Sequence, residues 1–214
     1  NPQPAVARVV KRLFGRHSHD DAVMYTWISA TASRTSTPIV AIFREGRATQ
    51  TLMLSALFFL CLMNVYFLSN WLPTLLEQAK RTQEEAIVAT TVFNFGGMVG
   101  ALALGRLIDR LGYVRVLSAA LVCAGACLAI LATVHFSYLG LLTAAFFGGF
   151  VVLGGQGGVN ALPALIYPDD LRATASGWAI GTGRLGSVTG PILAGWLLSS
   201  GWPYQHVLMA AALV

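Results

Sequence analysis

Arg184 stands in "GWAIGTGRLGSVTGPILAGW", Gly177 to Trp196, a run of twenty residues with no other charge. A guanidinium keeps its proton at any physiological pH, so in an apolar segment it must face a bundle interior or a watery cavity. A permanent cation in a wet cavity is an anion receptor, and its planar fork of donors matches a carboxylate. A structural role is the other reading, with backbone carbonyls or an acid elsewhere in the protein satisfying the charge. Gln156 and Asn94 are further polar side chains inside apolar runs, suited either to hydrogen bonding between helices or to ligand contact. Tyr66 and Asn70 give a fourth run its polar face.

The depth of these residues follows from a rise of 1.5 Å per helical residue. Arg184 lies twelve residues after Arg172, roughly 18 Å along a helix. Gln156 precedes Tyr167 by eleven residues, and Asn94 precedes Gly105 by eleven, roughly 16 Å in each case. If the charged ends mark one membrane surface, the three side chains lie at one level near the midplane.

The elements that must carry them are membrane spans. Hydrophobic residues make up 56% of the 214 and charged residues 11%, and mean hydropathy is +0.66. A soluble domain would carry about 25% charged residues. Between clustered charges run Ala48 to Leu76, Ala86 to Gly105, Val116 to Pro168 with only His135 interrupting, and Ala173 to Val214 with only Arg184 and His206. A bilayer core about 30 Å thick takes about 20 helical residues. The third run is too long for one crossing and breaks at "HFSY", His135 to Tyr138. The fourth breaks at "SSGWPYQH", where Gly201 and Pro203 stop a helix. The expected fold is therefore all-α and membrane-embedded. Five complete spans are expected at about 51–76, 86–105, 116–134, 139–166 and 173–198, with a sixth, cut short, over 204–214. The start at Asn1 and the short sixth span suggest a piece of a longer protein.

Seven of the fourteen basic residues lie in residues 1–47, three more are Arg106, Arg110 and Arg115, and Arg172 is another. Only Lys80 and Arg81 fall on the opposite side. Short cytoplasmic loops collect Lys and Arg, so the amino-terminal segment is expected in the cytoplasm. Residues 1–47, rich in Pro, Ser and Thr, read as a linker with too little apolar material for a core. Residues 48–214 form the bundle. The net charge of +5 and pI near 9.5 need no nucleic acid as partner. The basic leader "ARVVKRLFGR" is either a solvated loop or rests on anionic lipid. "HSHDD", His17 to Asp21, has metal-ligand residue types, yet no second cluster completes a metal site. Cys61, Cys123 and Cys127 all fall inside spans and read as small apolar residues. The motifs G-x-S-x-G, H-E-x-x-H and G-x-x-x-x-G-K-[ST] are absent, so neither catalytic residues nor a cofactor is expected. The glycines of "GGQGGVN", Gly154 to Asn160, lie inside a span, where they permit close helix contact or local unwinding.

"GRLIDRLG", Gly105 to Gly112, resembles the loop motif of the major facilitator superfamily. "MNVYFLSNWLPTLL", Met63 to Leu76, and "YPDDLRATASGWAIGTGRLGSVTGPILAGW", Tyr167 to Trp196, resemble the seventh and eleventh helices of aromatic acid:proton symporters, the group that includes 4-hydroxybenzoate transporters. The resemblance implies a twelve-helix fold of two six-helix bundles, of which this chain would be the central loop and most of the carboxyl-terminal half. It implies that the first, second, fourth and fifth spans face a central cavity while the third and sixth face lipid. Arg184 would receive the substrate carboxylate. Gly105, Asp109, Arg110, Gly112 and Arg172, the last with Asp169 and Asp170, would serve the cytoplasmic gate. "YVR", Tyr113 to Arg115, departs from the adjacent basic residues usual after the motif's last glycine.

The expected function is inward transport of a small aromatic carboxylate with protons across a bacterial inner membrane. The amino-terminal half of the same protein and the lipid bilayer are the expected partners. A carrier of another organic anion, or a membrane-embedded sensor on the same scaffold, are the alternatives.

Overall fold

A computed structural model describes residues 38–133 and 137–213. The expectations that fall on "HSHDD", on the basic leader and on His135 lie outside the described residues. Among the described residues the chain is entirely helical: α1 (Pro38–Ala41), α2 (Ala48–Gln78), α3 (Gln83–Leu111), α4 (Tyr113–Thr133), α5 (Tyr138–Ile166), α6 (Asp169–Ser199) and α7 (Tyr204–Ala212).

Local chemistry sets the helix ends. Thr82 opens α3 with a capping box, its hydroxyl accepting from the Glu85 amide while the Glu85 carboxylate accepts from the Thr82 amide. Ser137 caps α5 through the Gly140 amide. Pro168 precedes α6, whose first turn carries Asp169 and Asp170 where the helix dipole favours negative charge. Gly112, with φ +89°, makes the one-residue corner between α3 and α4, and Gly201, with φ +82°, ends the turn after α6. The breaks expected at Ser199 to His206 and before Tyr138 fall where α6 ends and α5 begins.

The helices outrun the apolar runs that foretold them. α3 continues through Leu111, so most of "GRLIDRLG" is helix and not loop, with Gly112 alone breaking it. Backbone hydrogen bonding carries a helix through charged turns that hydropathy leaves outside the bilayer. α2, α3, α4 and α5 are each long and apolar enough to cross a membrane. α6 has 31 residues, about 46 Å of helix, yet its Gly, Ser, Thr and Arg content leaves it less apolar than those four.

Two helix pairs dominate the packing, α2 with α6 and α3 with α5. Glycine makes both possible. A Cβ at Gly96 or Gly100 would run into the Phe146 or Phe150 carbonyl of α5, and one at Gly149 into the Phe93 carbonyl of α3. In the other pair, a Cβ at Gly186 or Gly190 would meet the Phe59 or Met63 carbonyl of α2. Such backbone approach maximises dispersion contact in a setting where lipid tails remove most of the hydrophobic drive between helices. The Trp71 ring lies over Gly195, and its indole N–H donates to the Pro191 carbonyl at 3.0 Å. Gly154 packs on Gly100, and α5 runs unbroken past it, so this glycine serves close contact rather than unwinding.

Buried side chains gather in two main clusters. One contains Ile42, Leu54, Phe58, Val159, Tyr167 and Leu171, and the other Phe67, Leu72, Leu75, Phe93, Leu141 and Val207. Within the first, Thr51 is 1% exposed and ties three segments together: its hydroxyl lies 2.6 Å from the Ile42 carbonyl, 3.0 Å from that of Arg47 and 2.7 Å from the Tyr167 hydroxyl. Ile42, ahead of α2, is itself fully buried.

Candidate functional site

α6 positions Arg184 by burying its opposite face. Gly183, Gly186 and Gly190 sit against α2, which turns Arg184 outward onto an exposed face. From there the guanidinium donates to the Tyr66 hydroxyl of α2 at 3.0 Å. Asn70, one turn further along α2, donates to the Tyr66 carbonyl at 2.7 Å and is exposed. Arg184, Tyr66 and Asn70 thus form one polar patch on the α2–α6 pair. Among the described residues no carboxylate lies within ion-pair distance of Arg184, whereas Arg47 pairs with Glu45, Arg81 with Glu85 and Arg172 with Asp169. An arginine held by a neutral phenol retains donors for an anion.

The glycines beside Arg184 divide into two sets. Gly183, Gly186 and Gly190 admit the backbone of α2, whereas Gly177 and Gly181 face open space. At helical spacing Gly177, Gly181 and Arg184 share a face, so two positions beside the guanidinium on its Arg172 side carry no side chain, while the exposed Ile180 flanks them.

Asn94 and Gln156 belong to the other pair and make no hydrogen bond to this patch. Asn94 is exposed on α3 and donates to the Thr90 carbonyl of its own helix. Gln156 is half-buried on α5 and donates to the Asn160 side chain at 3.1 Å. Asn160, which is exposed, and Asn64, whose amide donates to the Ala211 carbonyl at 2.8 Å, extend the polar set. Both are uncharged amides inside apolar runs, so the criterion that selects Asn94 selects them as well. Trp178 was legible only as an aromatic in a span; its indole donates to the Ser55 hydroxyl at 3.0 Å and its ring stacks edge-on with Phe43.

The expected gate residues cluster at helix ends. Gly105, Asp109 and Arg110 occupy the last two turns of α3 and are exposed, and Gly112 forms the corner. Tyr113 reaches from that corner to the Gly158 carbonyl of α5 through its hydroxyl. Arg172 pairs with Asp169 at 2.7 Å within the first turns of α6. The five do not form one hydrogen-bonded cluster.

Residues 54–214 match the profile of the Major Facilitator Superfamily. The chain is 34% identical over 185 residues to the benzoate transport protein of Acinetobacter baylyi, covering 86% of this chain and 40% of that protein. It is 37% identical over 187 residues to the 3-(3-hydroxy-phenyl)propionate transporter of Escherichia coli, covering 86% and 46%. It is 33% identical over 176 residues to the 4-hydroxybenzoate transporter of Pseudomonas aeruginosa, covering 80% and 38%. The chain thus spans under half the length of these relatives, and the similarity is to the carboxyl-terminal half of such transporters. They are transporters by name, not enzymes, and their bacterial sources point to the inner membrane. With the match to the superfamily profile over three quarters of its length, and four helices able to cross a bilayer, this chain belongs to the Major Facilitator Superfamily as a multi-pass membrane protein.

Proposed function

We propose that the chain is the carboxyl-terminal half of a secondary active transporter that takes up a small aromatic carboxylate together with protons by alternating access. The observation that carries this reading is Arg184: a permanent cation on an exposed helix face, hydrogen-bonded to the neutral Tyr66 and without a carboxylate partner among the described residues. Its cost in a bilayer is offset if that face lines a water-filled cavity shared with an amino-terminal half. α6 then makes the fifth crossing despite its lower apolarity, because its polar face never meets lipid. α7 begins the sixth.

In this reading Arg184 binds the carboxylate, Tyr66 and Asn70 flank it, and Asn94 and Gln156 line the same cavity from the α3–α5 pair. Three relatives named for benzoate, 4-hydroxybenzoate and 3-(3-hydroxy-phenyl)propionate support an aromatic acid as cargo. Asp109, Arg110 and Arg172, with Gly105 inside α3 and the corner at Gly112, form the cytoplasmic gate, exchanging charge partners as the halves rock. The coupling proton is carried by a group in the other half.

The test is uptake of labelled benzoate and 4-hydroxybenzoate by cells expressing the full-length transporter, with and without an uncoupler. Accumulation that collapses with the uncoupler is expected. Binding of the acid with no uptake would replace transport by a sensing role, and uptake of aliphatic but not aromatic acids would replace the cargo.

A further inference from the structure

A cavity of about 140 Å³, partly open to the surface, lies between helices of the half-bundle, lined by residues of α2, α4, α5 and α7 that include Cys61, Asn64, Leu121, Gln156 and Ala212. Most of its wall is apolar, yet Asn64 and Gln156 line it, and one oxygen of each, Oδ1 and Oε1, is buried and accepts no hydrogen bond among the described residues. The other end of each amide is engaged, Nδ2 of Asn64 with the Ala211 carbonyl and Nε2 of Gln156 with Oδ1 of Asn160. The Ala211 bond fixes the orientation of Asn64, since turning that amide over would set two oxygens against each other. Turning over Gln156 requires Asn160 to turn with it, and would then only exchange a lone acceptor for a lone donor at the same place.

The two amides stand at one level. Thr51 and Tyr167 hydrogen-bond to each other and so share a height. Asn64 follows Thr51 by thirteen residues and Gln156 precedes Tyr167 by eleven, about 20 Å and about 16 Å along their helices. Along α2, Asn64 falls between Phe58 of one buried cluster and Phe67 of the other; along α5, Gln156 falls between Val152 and Val159 of the same two clusters. The cavity therefore occupies the seam between the two clusters.

A buried amide oxygen without a donor costs about 1 to 3 kcal/mol, and two such oxygens on one cavity call for a shared occupant. That occupant must donate hydrogen bonds, must be small, and must be neutral, because the wall offers no charge to balance an ion. A water needs at least about 10 to 15 Å³ of such space and two or more polar partners, so the cavity has room for several.

We propose that this cavity is a built water site in which ordered water donates to Oδ1 of Asn64 and Oε1 of Gln156. The water completes a polar bridge that runs from the exposed Asn160 through Gln156 and Asn64 to the Ala211 carbonyl. It links α5, α2 and α7 at mid-height. The proposal does not depend on which cargo is carried, although Gln156 belongs to both sites.

Cys61 lines the cavity and reports on it. The experiment is millisecond radiolytic hydroxyl-radical labelling of the full-length transporter in lipid nanodiscs, in water enriched in oxygen-18, read by mass spectrometry. Cys61 is expected to oxidise at least several-fold faster than Cys123, which faces outward on α4. Gln156→Met, which leaves the Asn64–Ala211 bond intact, should lower Cys61 oxidation by about half or more, and Asn64→Leu with Gln156→Leu should bring it to the level of Cys123. A parent protein whose Cys61 resists labelling has a dry cavity or one filled by its own side chains, and that overturns the proposal. Unchanged Cys61 labelling in Gln156→Met overturns it too, since the amide oxygens would not then be what holds the water. The first measurement needs no variant and stands even if the double substitution fails to fold.

Discussion

The Arg184 guanidinium donates to the Tyr66 hydroxyl at 3.0 Å across the glycine-lined contact of α2 and α6. The bond orients the cation while leaving its remaining donors open. Arg184→Ala should weaken binding of a benzoate-type acid to the full-length transporter by roughly ten-fold to a hundred-fold, given the usual strength of charge-assisted hydrogen bonds. Arg184→Lys, which keeps charge without the planar fork, should fall between. Tyr66→Phe should cost less, about two-fold to ten-fold, by loosening the guanidinium. Equilibrium binding of labelled acid, with the matching amide as control, measures all three. The amide should bind parent and Arg184→Ala alike, and an Arg184→Ala protein that binds the acid as the parent does would make the arginine a structural partner.

Two glycines of α6 should respond oppositely to the same change. A Cβ at Gly186 collides with the Phe59 carbonyl, whereas one at Gly181 meets open space. Gly186→Ala should destabilise the bundle by about 1 to 3 kcal/mol through overpacking. Gly181→Ala should leave stability unchanged or raise it slightly, alanine being the better helix former. Thermal denaturation of the two proteins in the same detergent decides this; equal melting temperatures would contradict the packing described for α2 and α6.

Asp109 is exposed in the last turn of α3, one residue before Arg110. If its charge pairs across the gate in only one transport state, Asp109→Asn shifts the balance of states rather than the binding site. Uptake should drop while equilibrium binding of the acid survives. Loss of binding in a protein that still reaches the membrane would assign Asp109 to the site instead.

Lys80 precedes α3 and Asp109 lies near its far end, so a helix of 29 residues, about 43 Å, separates the two. If the basic residues mark the cytoplasmic side, the Asp109 end faces the cytoplasm. In a cysteine-free background, an impermeant thiol reagent applied to spheroplasts should label Lys80→Cys and spare Asp109→Cys. The reverse pattern would invert the topology.

The sequence carried the positions of the helices because Arg, Asp, Gly and Pro mark the limits of each apolar run, as at Gly112 and Pro203. Their full lengths were less legible: the turns carrying Arg106 and Arg110 are charged yet helical, since backbone hydrogen bonds do not stop at the bilayer surface. Arg184 stood out because one charge among apolar residues is conspicuous. Its partner Tyr66 was visible only as a polar position on another span, because depth along a helix says nothing about which helices adjoin. For the same reason Asn94 and Gln156, at a similar estimated depth, make no direct contact with Arg184. Asn64 meets the criterion that selects Asn94, and its unpaired oxygen is the more telling.

The two tight helix pairs are nested in chain order, α3 with α5 inside α2 with α6. A chain emerges from the ribosome from its amino end, so α3 waits in the bilayer for α5 while α2 waits longer for α6. Where helices enter the bilayer in that order, the inner pair is able to close before the outer one. The helix that waits longest, α2, is among those apolar enough to hold its place alone, whereas α6, less apolar and bearing Arg184, arrives when its glycine-receiving surface is already there. Order of synthesis thus spares the least lipid-compatible helix any interval without its partner.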